Sequence, residues 1–270
     1  MADSGAYAAV GTTGSGFGRD SRQAESISKM KDKKACRKKR YGMAVWGILL
    51  LLLTGIHACQ AKTADEVVKY FSENPAGRQE FYEFAAGKLG TENVSAQDKA
   101  RVQRNLQIAG KLAGLTAKDW LVLVADSPNF NAYALPGYIF VVNRGTLADL
   151  TDEELQVILC HELAHQLLNH PAVALKRSAM SKRYLKRAGR QGSEMPAADY
   201  WEALQLSSVW KREEKAADIL AAGRLAAHGF PMPAAVNLWK KLRARYGEIS
   251  YVSNHLTYRQ RMKIYQETAQ

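Results

Sequence analysis

Two histidines and a glutamate form the segment of this chain with the most recognisable chemistry. They lie in the pentapeptide His161-Glu162-Leu163-Ala164-His165. On an α-helix, residues at i and i+4 share one face a turn apart, so the two imidazole rings can converge on one metal ion. Glu162 points beside them and can hold the water molecule that such an ion activates. The spacing therefore predicts a catalytic metal site rather than a chance recurrence of the pattern.

A catalytic zinc ion needs a third protein ligand, and the acidic segment Glu213–Asp218 is the candidate. Glu214 and Asp218 are spaced i, i+4 and would share a helix face. One carboxylate can bind the metal, while the other orients a ligand histidine through the free N–H of its ring. The alternative is a solvated acidic face among basic neighbours, namely Lys211, Arg212 and Lys215.

The elements that must position these residues can be predicted from capping signals and periodicity. Thr151 and Glu154 form a capping box, which opens a helix that runs to about Asn169 and is closed by Pro171. The β-rich runs Trp120–Ala125 and Tyr138–Val142 are predicted strands. Further helices are predicted at 64–73, 78–89, 96–113, 172–189, 197–228, 232–246 and 257–268. This pattern indicates an α+β, predominantly helical fold with a small sheet embedded in helices.

The first 58 residues differ in composition from the rest. Residues 2–28 lack apolar periodicity and are typical of disorder. A basic run, Lys29 to Arg40, precedes an uncharged stretch from Met43 to Ala58 that contains the aliphatic block Ile48–Leu53. This order is typical of a bacterial secretory signal, and the block is shorter than the roughly 20 residues of a spanning helix. An uncleaved membrane anchor is the alternative, and Met30 is an alternative start.

The sequence Ile56-His57-Ala58-Cys59 resembles a lipobox, in which the cysteine becomes the lipidated first residue of a mature lipoprotein. By the same resemblance, Gln60 permits sorting to the outer membrane. We therefore expect a periplasmic, membrane-associated protein, lipidated at Cys59 in the outer membrane, with an inner-membrane signal anchor as the alternative. Cys160 is the only other cysteine of such a mature chain, so no intramolecular disulfide is available.

The net charge of +12 is divided between two places. Half lies on residues 1–42, which carry ten Lys and Arg against four Asp and Glu. A second basic cluster lies on one predicted helix: Lys176, Arg177, Lys182, Arg183, Lys186, Arg187 and Arg190. A solvated face and a face against anionic headgroups are the two interpretations. Nucleic acid is not expected, because Tyr184 is the only interleaved aromatic and no recognition motif accompanies it.

These motifs, in this order, resemble the gluzincin endopeptidases of the HtpX and CAAX-prenyl-protease group. The resemblance covers His161–His165, Glu214–Asp218 and the preceding segment Asn131–Gly137. It also includes Arg144-Gly145 and, near the end, His255 and Arg261. The match runs from about Asp126 to Arg261, and the layout is similar to periplasmic lipoprotein proteases of the LoiP and BepA type.

The resemblance implies a zincin-like fold with a small antiparallel sheet beside the active-site helix. It also implies one Zn²⁺ per chain, held by His161, His165 and Glu214, with Glu162 as general base and Asp218 as a second acid. His255 would stabilise the oxyanion or fill the open zinc position in a latent state, the alternative being a surface histidine. Arg261 is interpreted as a structural salt-bridge partner and Cys160 as a core residue. No role is assigned to His57, His170 or His228.

We therefore expect a zinc-dependent metalloendopeptidase that acts on unfolded or misassembled envelope proteins. Its domains would be a disordered basic leader (1–42), a hydrophobic signal region (43–58) and a single metallopeptidase domain (59–270), which comprises a helical part (60–115) and a catalytic core (116–270). Expected partners are protein substrates, the membrane through a lipid or signal anchor, and envelope assembly complexes or a second copy. Two rival functions are a chaperone-like assembly factor that rarely cuts and a membrane- or nucleic-acid-binding protein.

Overall fold

The computed structural model describes residues 61–115, 120–190, 196–248 and 255–270. The chain divides into two units, Met1–Cys59 and Gln60–Gln270, and every described residue belongs to the second. The predicted leader (1–42), the hydrophobic region (43–58) and the lipidation site Cys59 lie outside the described residues and stay predictions. Within the described ranges, no helix has the length and apolar character needed to cross a bilayer.

The N-terminal part of the second unit is helical. It comprises α1 (Ala64–Glu73), α2 (Pro75–Lys88), a short 3₁₀ helix (Thr91–Asn93) and α3 (Ala96–Leu112). Thr63 and Glu66 form a reciprocal capping box at the start of α1, and Ser95 accepts a hydrogen bond from the backbone of Asp98 at the start of α3. These caps satisfy backbone N–H groups that have no partner inside the helix.

Three described strands form a mixed sheet in the order β1-β3-β2. They are β1 (Leu121–Ala125), β2 (Ala132–Leu135) and β3 (Ile139–Asn143). β2 and β3 pair antiparallel across a tight turn, where Gly137 has a φ of 86° and Tyr138 a φ of 59°. β1 pairs parallel with β3, so the expectation of an antiparallel sheet was wrong for this pair. The segment 126–131 connects β1 to β2, which lies at the other edge of the sheet. β3 then lies between these two strands and runs parallel to β1.

Eight helices follow the sheet in the described parts of the chain. They are α4 (Arg144–Asp149), α5 (Asp152–Leu167), α6 (His170–Arg177), α7 (Ala179–Ala188), α8 (Pro196–Gln205), α9 (Lys211–Ala227), α10 (Met232–Tyr246) and α11 (Tyr258–Thr268). The predominantly helical α+β class is thus confirmed.

Two long predicted helices are each two helices in the structure. The predicted span 172–189 breaks at Ser178, whose side chain caps α7 by accepting from the backbone of Ser181. The predicted span 197–228 is interrupted at 206–210, between α8 and α9. Pro171 does not close α5 but lies in the first turn of α6, where a residue without an N–H loses no helical hydrogen bond.

Helix α5 runs through the centre of the unit. One hydrophobic cluster packs α5 against α3, α9, α10 and α11. A second cluster joins α1, α2, α7 and α8 to residues of all three strands. Cys160 on α5 is 2% exposed, and its burial raises the thiol pKa to about 12, which confirms its interpretation as a core residue.

Candidate metal centre

The three predicted ligands converge in the structure from two neighbouring helices. His161 and His165 lie on α5, one turn apart, and their Nε2 atoms are 3.0 Å from each other. Glu214 comes from the first turn of α9, with carboxylate oxygens 3.6 Å from His161 Nε2 and 3.4 Å from His165 Nε2. All three residues are buried. This is the only such metal-binding group of His, Cys, Asp or Glu residues in the described part of the chain.

Each histidine has a partner at its other ring nitrogen. His161 Nδ1 lies 3.0 Å from the carboxylate of Asp218. His165 Nδ1 lies 3.0 Å from Nδ1 of His170. A proton on each Nδ1 leaves the Nε2 lone pairs of both rings facing each other, an arrangement that a bound cation stabilises. The donor set therefore fits a metal ion.

The charges of the site also fit a divalent cation. Three buried carboxylates, Glu162, Glu214 and Asp218, lie around one buried cation, Arg261. Burial lowers the pKa of His161, but the Asp218 and Glu214 carboxylates together outweigh burial and raise it to about 10. Burial lowers the pKa of His165 well below its ordinary value, which keeps that ring neutral. The carboxylates thus favour a positive charge in the pocket, either a second proton on His161 or a metal ion in its place.

Glu162 lies next to the ligands, on the side that lines the cleft. Its side chain is 7% exposed, and burial raises its pKa to about 7. A carboxylate in this environment can accept a proton and release it near neutral pH, as a general base must.

Arg261 of α11 connects two of the three acidic residues of α9, Glu214 and Asp218. Its guanidinium donates to Glu214 at 2.6 Å and to Asp218 at 3.2 Å, and it lies over the ring of Trp239 at 4.9 Å. The side chain is 6% exposed. It therefore holds the two carboxylates in place from the core, in agreement with its interpretation as a salt-bridge partner.

The structure brings His255 to the metal centre as well. Its Nδ1 lies 3.0 Å from the Glu214 carboxylate, although the side chain is 57% exposed. The ring lines the cleft beside the ligands, and its role in stabilising the oxyanion or in a latent state stays a prediction.

The ligands open into a cleft of about 580 Å³. One side is β2, an edge strand of the three-stranded sheet, and Asn131 to Ala134 line the cleft. The opposite side includes Ser207, Ser208 and Val209 from the segment between α8 and α9. The same two sides line a further cavity of about 540 Å³, so the groove continues along β2.

The side opposite β2 is fixed by Arg177 at the end of α6. Its guanidinium donates to the Glu213 carboxylate and to the Ser208 backbone carbonyl. It also stacks on Trp210 at 3.7 Å. The bond to Ser208 and the stack on Trp210 tie the segment between α8 and α9 to α6, the helix that follows the ligand histidines.

Comparison of the sequence with known protein families gives a match that covers all of these site residues. The family described as Peptidase family M48 matches residues 96–268, more than half of the 270-residue chain. The chain belongs to peptidase family M48. This membership confirms the resemblance and the zinc-peptidase class that the motifs indicated.

Mitochondrial metalloendopeptidases are among the similar proteins. Metalloendopeptidase OMA1, mitochondrial, from Bos taurus is 38% identical over 76 residues, which cover 27% of this chain and 14% of that protein. The Danio rerio protein of that name is 47% identical over 67 residues, 24% of this chain and 13% of the relative. Mitochondrial metalloendopeptidase OMA1 of Schizosaccharomyces pombe is 26% identical over 173 residues, 62% of this chain and 51% of the relative. The chain thus spans at most about half the length of these relatives.

All six site residues predicted from the sequence lie together in the structure, and one further residue, His170, was not predicted. His161, Glu162, His165, Glu214, Asp218 and His255 all lie at the centre. His170, to which no role was assigned, contacts His165. A separation of five residues is not a same-face helical spacing. The contact arises because Asn169 adopts a φ of 55° and starts a new helix at His170.

Proposed function

We propose that this chain is a zinc metalloendopeptidase that hydrolyses internal peptide bonds of unfolded or misassembled proteins. One observation carries the proposal. A buried carboxylate, Glu162, lies beside three convergent ligands at an open cleft bordered by an edge strand. Catalysis needs this combination, whereas binding alone does not need a base.

His161, His165 and Glu214 would hold the ion. When bound, Zn²⁺ lowers the pKa of a water molecule to about 7 and polarises a carbonyl group. Glu162 accepts the proton of the attacking water on a carboxylate oxygen and then donates it to the nitrogen of the leaving amine. Asp218 and His170 keep the two imidazole rings oriented.

The edge strand supports a preference for unfolded substrates. A peptide that adds to β2 as a further strand is held by main-chain hydrogen bonds, which tolerate many side chains. The groove beside β2 accepts an extended segment, and a folded protein seldom exposes one. β2 lies at an edge of the sheet, whereas β3 is central, so β2 is the strand to which a substrate can add.

We further propose that the enzyme is attached to a membrane and acts on cell-envelope proteins in the periplasm. The support is the basic and apolar leader and the lipobox-like sequence that ends at Cys59. Lipidation at Cys59 in the outer membrane is the favoured attachment, and an uncleaved signal anchor is the alternative. The N-terminal mass of the mature protein, purified from membranes, distinguishes the two.

The experiment on substrate class compares an unfolded and a folded protein of similar size. Wild type should cleave unfolded casein and spare a stably folded substrate. Glu162→Gln should slow the cleavage at least about 100-fold, and a chelator should abolish it. Equal slow loss of casein with wild type, Glu162→Gln and chelated protein would contradict the peptidase and favour a chaperone-like factor that binds in the groove.

A further inference from the structure

Helix α7 presents a strongly basic face that the peptidase site does not use. Its buried side chains are Ser181, Leu185 and Ala188. Lys182, Arg183 and Lys186 are exposed, as is Arg190 just beyond the helix, and these four cations have no ionic partner among the residues that the structure describes. Residues 170–190 contain no Asp or Glu. A face with this charge is complementary to an anionic surface.

Apolar groups accompany these cations. Met180 is 48% exposed at the start of α7. Tyr184 follows one turn later, and the Arg187 guanidinium lies 4.8 Å from the centre of its ring. Residues four apart share a helix face. Tyr184 is half-buried and packs against the second hydrophobic cluster, so Met180 is the exposed apolar group beside the cations. An apolar side chain next to cations suits a helix that lies in the interfacial region of a bilayer.

The path of the chain links this face to the predicted membrane attachment. The backbone N–H of Lys62 donates to the carbonyl of Gly189 at 2.6 Å. A Cβ on Gly189 would lie 2.2 Å from the Lys62 carbonyl oxygen, so only glycine permits this approach. Cys59 precedes Lys62 by three residues, which span at most about 11 Å. The length of the chain therefore limits a lipid on Cys59 to an attachment point within about 11 Å of Lys62.

We propose that the exposed face of α7, formed by Lys182, Arg183, Lys186 and Arg190, docks on the anionic phospholipid headgroups of the membrane to which the chain is attached. The inference rests on the proposed membrane attachment. The attachment brings the face to the bilayer, and the charges then fix the orientation of the domain. Pro171 of α6 lines the cleft, whereas no residue of α7 does, so the docked face is not part of the peptidase site.

Lysine labelling in vesicles tests the docking without altering the chain. The full-length protein is reconstituted in vesicles of phosphatidylcholine alone or with about 30% phosphatidylglycerol, and is treated with a soluble amine-reactive reagent. In anionic vesicles, labelling of Lys182 and Lys186 should fall about tenfold, and about 0.5 M salt should restore it. The exposed Lys111 and Lys240, on α3 and α10, should be labelled equally in all vesicles.

A pair of matched variants tests the role of charge and keeps both reporter lysines. Arg183→Gln with Arg190→Gln should weaken the protection of Lys182 and Lys186 several-fold. Arg104→Gln with Arg259→Gln removes two exposed charges elsewhere and should leave the protection unchanged.

Three results would overturn the proposal. They are equal labelling of Lys182 and Lys186 in both vesicle types, protection that survives high salt, and protection by a short RNA but not by anionic vesicles. The last would assign the face to nucleic acid. Labelling does not depend on peptidase activity, and the N-terminal mass reports the attachment, so failure of the docking is distinguishable from failure of the proposed function.

Discussion

At the scale of single residues, the metal centre is a set of ligands that are each held by a second group. Asp218 lies against His161, His170 against His165, and Arg261 with His255 against Glu214. Such contacts fix ring orientation and carboxylate position before an ion arrives, which reduces the ordering cost of binding. The affinity for zinc should therefore depend on the supporting residues as well as on the ligands.

Removal of the third ligand should abolish stable zinc binding. Glu214→Ala should lower the bound zinc to nearly the content of His161→Ala, because each change removes one of three protein ligands. Zinc per chain in the purified variants is the measurement. Glu213→Gln is the matched control: it lies one residue away, pairs with Arg177, and should keep its zinc. Full occupancy in Glu214→Ala would rule out this ligand.

His170 should influence metal binding through His165. His170→Ala should weaken zinc affinity about 10- to 100-fold, because His165 loses the partner that orients its ring. Competition with a chelator measures the affinity, and His228→Ala, on the surface beside the Arg224 carbonyl, is the control. Unchanged affinity in His170→Ala would show that its contact with His165 is only structural.

The sequence made most of this centre predictable at the level of residues. The i, i+4 spacings of His161 with His165 and of Glu214 with Asp218 indicate shared helix faces, and the structure shows both pairs side by side. His170 was not predicted, because its contact with His165 depends on Asn169, whose left-handed backbone conformation lies between α5 and α6. An Asn-His-Pro sequence after an amphipathic helix was the available signal, since asparagine tolerates this conformation.

At the scale of elements, the cleft has one regular side and one irregular side. β2 supplies a strand edge, and the segment 206–210 supplies the other side through contacts to Arg177. An irregular segment with exposed residues is ordered only by such contacts. Ser178 also donates to the Leu206 carbonyl. Arg177, however, contacts both Ser208 and Trp210, so the position of this side should depend strongly on this arginine.

Loss of Arg177 should impair peptide hydrolysis without removing the metal. Arg177→Gln breaks the salt bridge to Glu213 and the bond to Ser208 and should lower kcat/KM about tenfold, mainly through KM. Steady-state kinetics on a soluble peptide, with zinc content measured in parallel, is the test. Arg187→Gln, which loses a salt bridge to Asp199, should hydrolyse the peptide at the wild-type rate. An unchanged KM in Arg177→Gln would contradict this role of the segment.

The sequence predicted where helices form better than it predicted where long helices break or how the strands pair. Capping boxes at Thr63 and Thr151 indicated the starts of α1 and α5, and the structure has both. The break at Ser178 was not visible, because a serine is tolerated inside a helix and also caps one. β2 has only four residues, so alternation was too short to identify it, and the parallel pairing of β1 with β3 depends on a connection that no local pattern encodes.

At the scale of the whole molecule, the net charge of +12 has two separate origins. Half lies on residues 1–42, which we predict to be part of an export signal, and a compact part lies on the exposed face of α7. The metal centre itself has an excess of carboxylates. The cleft is thus acidic and suited to a cation, whereas the exposed face of α7 is basic and suited to an anionic membrane.

Membrane attachment should depend on Cys59. Cys59→Ala removes the residue that would carry the lipid, and the protein should then leave the membrane fraction when the salt concentration is raised to about 0.5 M, since only charge contacts would remain. Fractionation of cell extracts is the measurement, and Cys36→Ala is the control within the leader. Retention of Cys59→Ala at high salt would favour an uncleaved signal anchor.

The most direct test of the central claim combines zinc content with hydrolysis in wild type and Glu162→Gln. Zinc is removed and then titrated back while cleavage of a fluorogenic peptide is followed. Wild type should regain activity in proportion to zinc and saturate at one ion per chain. Glu162→Gln should bind the same single ion and hydrolyse the peptide at least about 100-fold more slowly. Equal activity in the two proteins, or activity that is independent of zinc, would contradict a zinc peptidase with Glu162 as its base.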